Sequence, residues 1–240
     1  MRSCSVFFFS LGLTAVAGCA VGQKITYDQS TPSLTASAPL LLAVAVEDQR
    51  PEIGSDKQPP EFVGVLRAGF GNAWPMTTAD GKPLADDFAD AVVRGLSARG
   101  FRAIKVAVNP IERPEQIVRR LIRTGMGRLL LLQMADWKSD TYVDTGLTYD
   151  VTALVLSVPD ARILGRSNVS GHDNLGGNAF KPSSVAKEAV PIAFQEQLQK
   201  LLNARQIVDA LVAATPAPPA TAPNPSPAPA TESPTPAPAQ

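Results

Sequence analysis

The sequence predicts an α+β fold, a mixed β-sheet with helices packed on one side as a two-layer sandwich. Three observations predict it. The continuous apolar run at 40–46 is typical of a strand buried on both faces. Two segments with helical spacing of apolar residues, 83–99 and 114–124, alternate with strand-like segments. Short turns separate three further strand-like segments, which favours an antiparallel meander: 129–137, 147–156 and 162–170.

A loop and a hairpin are predicted between the first strand and the first helix. Residues 51–60 contain three prolines and a glycine, which favours a loop. Residues 61–67 and 73–77 then have the composition of two short strands. Pro75 assigns the second of these strands to a sheet edge, because proline has no N–H to donate to a neighbouring strand.

The helix predicted at 83–99 carries signals at both ends. Pro83 suits a first helical turn, and Gly100 is a typical terminator. The aspartates of the first turns are explained by the helix dipole, which favours negative charge there: Asp86, Asp87 and Asp90. A last helix is predicted from about residue 183, kinked at Pro191, with a short amphipathic turn at 207–212 behind it.

The amino terminus predicts export and lipid attachment. A basic start leads into an apolar run at 6–16 that is too short to span ~30 Å of hydrocarbon. It ends in Val16-Ala17-Gly18-Cys19, which resembles the lipobox of bacterial lipoproteins. The resemblance implies removal of the signal peptide 1–18, a diacylglycerol on the Cys19 thiol and an acyl chain on its new amino group. Ala20 stands where inner-membrane retention typically uses aspartate, and this favours the outer membrane.

One folded domain is predicted between two polar segments. Residues 19–38 are rich in Ser and Thr and lack periodicity, so they are predicted to be a lipidated tether. Residues 39–213 are predicted to form a single α+β domain in the periplasm. Residues 214–240 consist almost wholly of Pro, Ala, Thr and Ser, and this composition predicts a disordered tail.

Composition disfavours several classes of function. The 22 basic and 22 acidic residues balance, which disfavours a nucleic-acid binder. Cys4 lies in the signal peptide and Cys19 is the lipidation site, so the mature chain is left without a thiol for a disulfide, a metal or a nucleophile. His172 is the only histidine, so no metal site is expected. Since no catalytic motif stands out, the sequence predicts a protein that is not an enzyme and has no cofactor beyond the acyl chains on Cys19.

Several short segments together resemble the YajG-like family of bacterial lipoproteins. They are the lipobox, the strand running into Asp48-Gln49-Arg50, the helix end at 96–101, the apolar strand at 129–132, Tyr149 at the start of the next strand, and the amphipathic helix near the end. The resemblance implies an outer-membrane-anchored lipoprotein of undefined biochemical role. The sequence departs from the family in its proline-rich tail and in the long loop at 51–60.

Two candidate binding groups carry charge, and each has a structural alternative. Asp48 and Arg50 follow the first strand at alternate positions, so they predict a carboxylate–guanidinium pair that either contacts a ligand or fixes the loop. The second group either faces phosphates of lipid or lipopolysaccharide or is simply a solvated surface. It consists of Arg119, Arg120 and Arg123, with Arg113 and Arg128 nearby.

Two tryptophans are the remaining candidates. Trp74 and Trp137 each lie beside turn residues at the edge of a predicted strand, so each is either a recognition group or part of the core. The sequence thus predicts a lipid-anchored protein of the outer membrane, facing the periplasm, that binds an envelope protein or polymer without catalysis. Two other hypotheses stay open: an envelope enzyme acting on a cell-wall or lipid substrate, and a spacer that reaches peptidoglycan through the tail.

Overall fold

The computed structural model describes residues 22–67, 72–158 and 160–213. The predicted signal peptide, the lipidation site Cys19 and the predicted disordered tail lie outside the described residues. The strands are β1 (Lys24–Ile25), β2 (Leu41–Asp48), β3 (Phe62–Arg67), β4 (Ala73–Thr78), β5 (Arg102–Lys105), β6 (Arg128–Thr141), β7 (Asp144–Ser157) and β8 (Ile163–Gly177). The helices are α1 (Pro51–Gly54), α2 (Leu84–Ser97), α3 (Pro114–Leu121), α4 (Pro182–Leu202) and α5 (Arg205–Val212), with a 3-10 turn at Ile122–Thr124.

The long strand β6 is the axis of one mixed sheet. Along one of its edges lie β2, paired with its first half as far as Met134, and then β3, paired with its last residues from Ser139; both run parallel to it. Along its other edge β7 and then β8 pair antiparallel over nearly their whole length. The sheet continues through β5 beside β2 and through β4 and β1 beside β3. The predicted α+β class, mixed sheet and three-strand meander are confirmed.

One face of the sheet is covered by α2, α4 and α5, and the main core lies between them and the strands. The predicted spacing of four residues along α2 is confirmed, because all four apolar positions are buried: Leu84, Phe88, Val92 and Leu96. Phe88 stands edge-on to Trp137 of β6 at 5.1 Å and to Phe194 of α4 at 4.7 Å, measured between ring centroids. These rings join the two long helices to the sheet.

The short helix α3 packs on the opposite face, at the first half of β6, so the predicted packing of helices on one side holds for α2, α4 and α5 but not for α3. Its apolar residues Ile117, Val118 and Leu121 form a second, smaller cluster with residues of β2, β6 and β7. Side chains of β2 therefore alternate between the two clusters, and the strand is enclosed from Leu42 to Asp48. This explains its continuous apolar sequence, because neither of its faces meets water.

Residues 22–38 belong to the folded domain, which corrects the prediction of a tether for this part of 19–38. Ile25 and Tyr27 are buried in the main core, and the ring of Tyr27 lies 4.6 Å from that of Phe194. Farther along, the side chain of Asn203 accepts a hydrogen bond from the Thr35 N–H (2.8 Å) and donates one to the Ser33 carbonyl (2.8 Å). The buried positions alternate with exposed Ser and Thr, and the polar character of the segment hid that period.

Part of this segment also changes the position of β4. The predicted hairpin of β3 and β4 is present, but β1 pairs with β4 on its other side, at Thr77 and Thr78. The pairing with β1 stops short of Pro75, which has no N–H to offer it. The proline therefore sits where the outer edge of β4 becomes free of strand partners. The long helix α4 is continuous from Pro182 to Leu202 and contains Pro191 in its interior.

Candidate functional site

Asp48 and Arg50 form an enclosed pair at the end of β2. The guanidinium binds both carboxylate oxygens, at 2.8 Å and 2.7 Å. Its remaining N–H groups donate to backbone carbonyls of Pro60, Phe62 and Trp137. All five donors of the Arg50 side chain are thus used inside the fold, and that side chain has no exposed surface. The geometry is that of a structural tie between strands and leaves the pair no free donor for a ligand.

Trp137 is a core residue, and Trp74 is the exposed member of the two tryptophans. Trp137 has no exposed surface and lies among the rings of Phe88, Tyr149 and Phe194. The side chain of Trp74, at the start of β4, is 41% exposed. Turn residues near both tryptophans made them look alike in sequence, but β6 continues to Thr141 and carries Trp137 into its middle.

The predicted basic cluster divides into exposed and buried members. Arg119, Arg120 and Arg123 are exposed on α3 and the turn after it, where Arg120 donates to the Ala107 carbonyl (3.0 Å) and pairs with Glu112 (3.4 Å). Arg128 instead is buried, and its guanidinium donates to carbonyls at the end of α5, those of Ala210 (3.4 Å) and Ala213 (3.1 Å). A cation at this position complements the negative end of the helix dipole.

A small cavity of about 260 Å³ lies at the start of α2. It is lined by Tyr27, Asp28, Asp80, Lys82 and Asp87 among others. Burial raises the pKa of the Asp87 carboxyl to about 7, and the negative charges of Asp80 and Asp90 add to the effect. The described residues contain no group of three or more His, Cys, Asp or Glu arranged to hold a metal ion. Sequence reasoning missed this cavity because residues 27 and 28 were assigned to the tether.

A larger cleft of about 450 Å³ lies between α2 and the chain after β5. Its lining is mostly apolar, and Asp86 and Lys105 stand in it as an ion pair (3.3 Å) that also includes Asp90 (2.8 Å). Asp86 and Asp90 are therefore engaged with a lysine of β5 as well as with the helix dipole. The two carboxylates share this one ammonium group, which balances one of their two negative charges.

The two ends of the β6–β8 meander differ. At one end, β3 and β6 finish side by side at Leu66 and Thr141, and Trp74 pairs with Leu66. The turn between β6 and β7 and the end of β8 are joined here, since the Asn178 N–H donates to the Val143 carbonyl (3.1 Å). We call this end, formed by the end of β3, the start of β4, the β6–β7 turn and the β8–α4 connection, the proximal end. The opposite end, where β6 begins at Arg128, is the distal end.

The described chain starts near the proximal end and stops at the distal end. Gly22 lies against the Pro75 carbonyl so closely that a Cβ on it would clash with that oxygen, and the Gln23 side chain donates to the Ser183 carbonyl at the start of α4. Ala213 is held at the distal end by Arg128. The 14 residues of β6 separate the two ends by about 40 Å at ~3.3 Å per residue.

In the part of the chain that the structure describes, the exposed aromatic side chains lie at the proximal end. Among the described residues, three large aromatic side chains are exposed, and all three lie there: Trp74 (41%), Tyr142 (48%) and Phe180 (96%), together with Val143 (45%). The exposed large apolar residues elsewhere in the described chain are isoleucines and a valine. Sequence reasoning singled out Trp74 as a candidate recognition group but missed Tyr142, Val143 and Phe180, because only the strand register brings them to the same end of the sheet.

Comparisons with known proteins concern the fold alone. No family model matches this sequence, and no curated protein matches it. The chain is similar in structure to protein XCC0632 from Xanthomonas campestris, of the DUF330 family (15% identity, TM-score 0.46, 78% of this chain and 92% of that one). It is also similar to lipoprotein GNA1162 from Neisseria meningitidis (13%, 0.27, 66% and 97%) and to the LpoB C-terminal domain from Salmonella enterica (11%, 0.30, 58% and 88%).

Proposed function

We propose that this protein is a lipoprotein of the outer membrane, anchored through an acylated Cys19, whose periplasmic domain binds an envelope partner without catalysis. The lipobox-like tetrad and the YajG-like pattern of segments support this class. Among the described residues no helix has both the length and the apolarity needed to cross a bilayer. The acyl chains on Cys19 supply the attachment, since two or more such chains are enough for stable residence.

The observation that carries the proposal is the short distance between Cys19 and the folded domain. Cys19 precedes Gly22 by three positions, so it lies within about 10 Å of the proximal end along any path. A lipid on this cysteine holds the domain at the membrane surface with its proximal end toward the bilayer. The distal end, with α3 and the start of residues 214–240, then faces the periplasm.

In this orientation the arginines of α3 and the start of the tail both face the periplasm, away from the anchoring membrane. Arg119, Arg120 and Arg123 lie beside the first half of β6, away from the anchor, so they suit an anionic partner in the periplasm better than the head groups of the anchoring membrane. If fully extended at about 3.1 Å per residue, residues 214–240 would reach roughly 80 Å beyond the distal end. That reach favours a spacer toward the cell wall as the second candidate function.

The anchor is tested by metabolic labelling with palmitate in a bacterium that processes lipoproteins. The wild-type protein is expected to take up the label and to sediment with outer membranes. The Cys19→Ser variant is expected to lose the label and to leave the membrane fraction. Label that persists in this variant, or a mature chain that begins at another residue, contradicts the proposal.

The partner is tested by crosslinking in living cells followed by mass spectrometry. Deletion of residues 214–240 and the triple substitution of Arg119, Arg120 and Arg123 by Gln separate the two distal features. Loss of crosslinked species on tail deletion alone supports the spacer, and loss with the triple variant alone assigns the contact to α3. An unchanged crosslinking pattern in both variants contradicts a distal contact surface.

A further inference from the structure

We infer that the proximal end inserts Trp74, Tyr142, Val143 and Phe180 into the interfacial layer of the same bilayer that holds the acyl chains on Cys19. This inference rests on the proposed function, because it takes the anchor as given. It adds a second membrane contact, made by protein side chains, that fixes how the domain stands on the membrane.

The chemistry of the side chains suits that layer. Tryptophan and tyrosine combine an apolar ring with a polar group, and both are enriched at the level of lipid head groups. Phe180, at 96% exposure, is the most exposed large apolar residue of the described chain and lies on the β8–α4 connection. A fully exposed phenylalanine gains most from leaving water.

The placement of these residues matches a planar partner. Tyr142 and Val143 lie on the β6–β7 turn, Phe180 lies on the β8–α4 connection and Trp74 lies at the start of β4, all at one end of the sheet. The bond between Gln23 and Ser183 holds the chain before β1 beside α4 at this end. Arg67 and Asp140 form a bidentate pair at this end, with Nε–Oδ1 at 2.7 Å and Nη2–Oδ2 at 2.5 Å, so these two charges balance each other. The exposed Asp144 and Lys181, of opposite sign, stand beside Val143 and Phe180. Apolar contact is therefore the main attraction at this end.

The length of the anchor selects the bilayer over a protein partner. With Cys19 held within about 10 Å of Gly22, the proximal end stays at the membrane surface at all times. Tethering converts a weak contact into an intramolecular one with a high effective concentration. A protein partner for the same surface has to enter the gap between domain and lipid, whereas the lipid is already there.

The two tryptophans provide the test, because one is exposed at the proximal end and the other is buried in the core. The acylated, full-length mature protein is reconstituted into phosphatidylethanolamine–phosphatidylglycerol vesicles that contain lipid brominated near the head group. Bromine quenches tryptophan emission only at short range. The wild type is expected to lose most of the emission contributed by Trp74, whereas Trp74→Phe, which reports Trp137 alone, is expected to lose none.

A pair of exposed residues supplies the matched control. Phe180→Ser is expected to reduce the quenching of Trp74 by weakening insertion. Ile163→Ser is expected to leave it unchanged, because Ile163 is similarly accessible (56% exposed) but lies at the distal end, beside Leu156. Equal quenching in both variants overturns the inference, because insertion then does not depend on the proximal aromatic residues.

Flotation of the same vesicles separates this inference from the anchor itself. Protein that floats with the vesicles while Trp74 remains unquenched overturns the insertion and leaves the anchor intact. Protein that does not float contradicts the proposed function. Trp74 that is shielded from aqueous acrylamide yet not quenched by brominated lipid indicates a cover of protein, either a second copy or another partner, and also overturns the inference.

Discussion

The Arg50 guanidinium donates hydrogen bonds to both carboxylate oxygens of Asp48. Its other N–H groups donate to the backbone carbonyls of Phe62 in β3, Trp137 in β6 and Pro60 just before β3. The two residues stand two positions apart where β2 leaves the sheet. A single buried guanidinium thus joins the end of β2 to the beginning of β3 and to the middle of β6. β2 and β3 pair one after the other with the same edge of β6, and the hydrogen bonds of Arg50 fix the position at which β2 ends and β3 begins along that edge.

Replacing Arg50 by Met is expected to destabilise the domain strongly. The change leaves the Asp48 carboxylate buried without its partner. We expect it to lower the free energy of unfolding by about 4 kcal/mol, as is typical when one partner of a buried ion pair is removed. Urea unfolding followed by circular dichroism measures it. The double variant Asp48→Leu/Arg50→Met is expected to recover much of the loss, because no charge then remains buried. The exposed pair of Arg67 and Asp140 is the control, with Arg67→Met costing less than about 1 kcal/mol.

Stability is expected to fall as pH rises through the titration of Asp87. Burial raises the pKa of this carboxyl to about 7, above its value in the unfolded chain, so the folded state prefers the protonated form. The free energy of unfolding therefore decreases between about pH 4 and pH 7 and levels off above. Because the group is partly exposed, the loss is expected to be about 1–2 kcal/mol.

Asp87→Asn isolates this effect, since the amide mimics the neutral acid. The variant is expected to match the wild type near pH 4 and to exceed its stability near pH 8, as measured by thermal unfolding across that range. Asp209→Asn, an exposed position on α5, is expected to keep the wild-type slope. A slope that persists in Asp87→Asn assigns the pH dependence to another group.

Gly165 is expected to be essential for the docking of α5. A Cβ on this residue would meet the Gln206 carbonyl, and it would approach the Ala210 Cβ to 2.8 Å. Gly165→Val should therefore push α5 off the sheet, at a cost of about 1–3 kcal/mol. Hydrogen exchange should speed up in residues 205–212 before it does elsewhere. Gly54→Ala serves as the control, because a Cβ there meets no atom within 4 Å.

Truncation of Tyr27 tests whether the first described residues contribute to the fold. The ring is 2% exposed and contacts Phe194, so Tyr27→Ala is expected to lower the free energy of unfolding by about 3–4 kcal/mol. Gln29→Ala, at an exposed position of the same segment, is expected to change it by less than about 0.5 kcal/mol. A tether would tolerate both substitutions equally.

Sequence periodicity was sufficient to predict an element where one side of it faces the core and the other faces water. The helix α2 met this condition, and the apolar run of β2 was recognisable because both faces are covered. The meander was recognisable because its strands follow one another with short turns. These features depend on residues that are neighbours along the chain.

The features that sequence reasoning missed depend on distant residues. Arg128 was assigned to an exposed basic cluster, yet it is buried because its guanidinium reaches the end of α5. For Trp137 the sequence left recognition and burial in the core as alternatives, and the rings that enclose it in the core come from α2 and α4. Residues 22–38 looked like a tether because Ser and Thr stand on their exposed side. The grouping of exposed residues at the proximal end could not be predicted from the sequence, because it depends on the register of β3, β4 and β6.

The attachment of residues 22–38 has a consequence for the order in which the chain folds. Gln23 bonds to Ser183, a partner 160 positions later, and Thr35 bonds to Asn203, 168 positions later. Contacts of such sequence separation form slowly, because a long loop must close before they gain anything. Residues 22–38 therefore complete their contacts only after α4 has been synthesised. A chain interrupted before α4 would leave residues 22–38 without these partners and open to proteolysis.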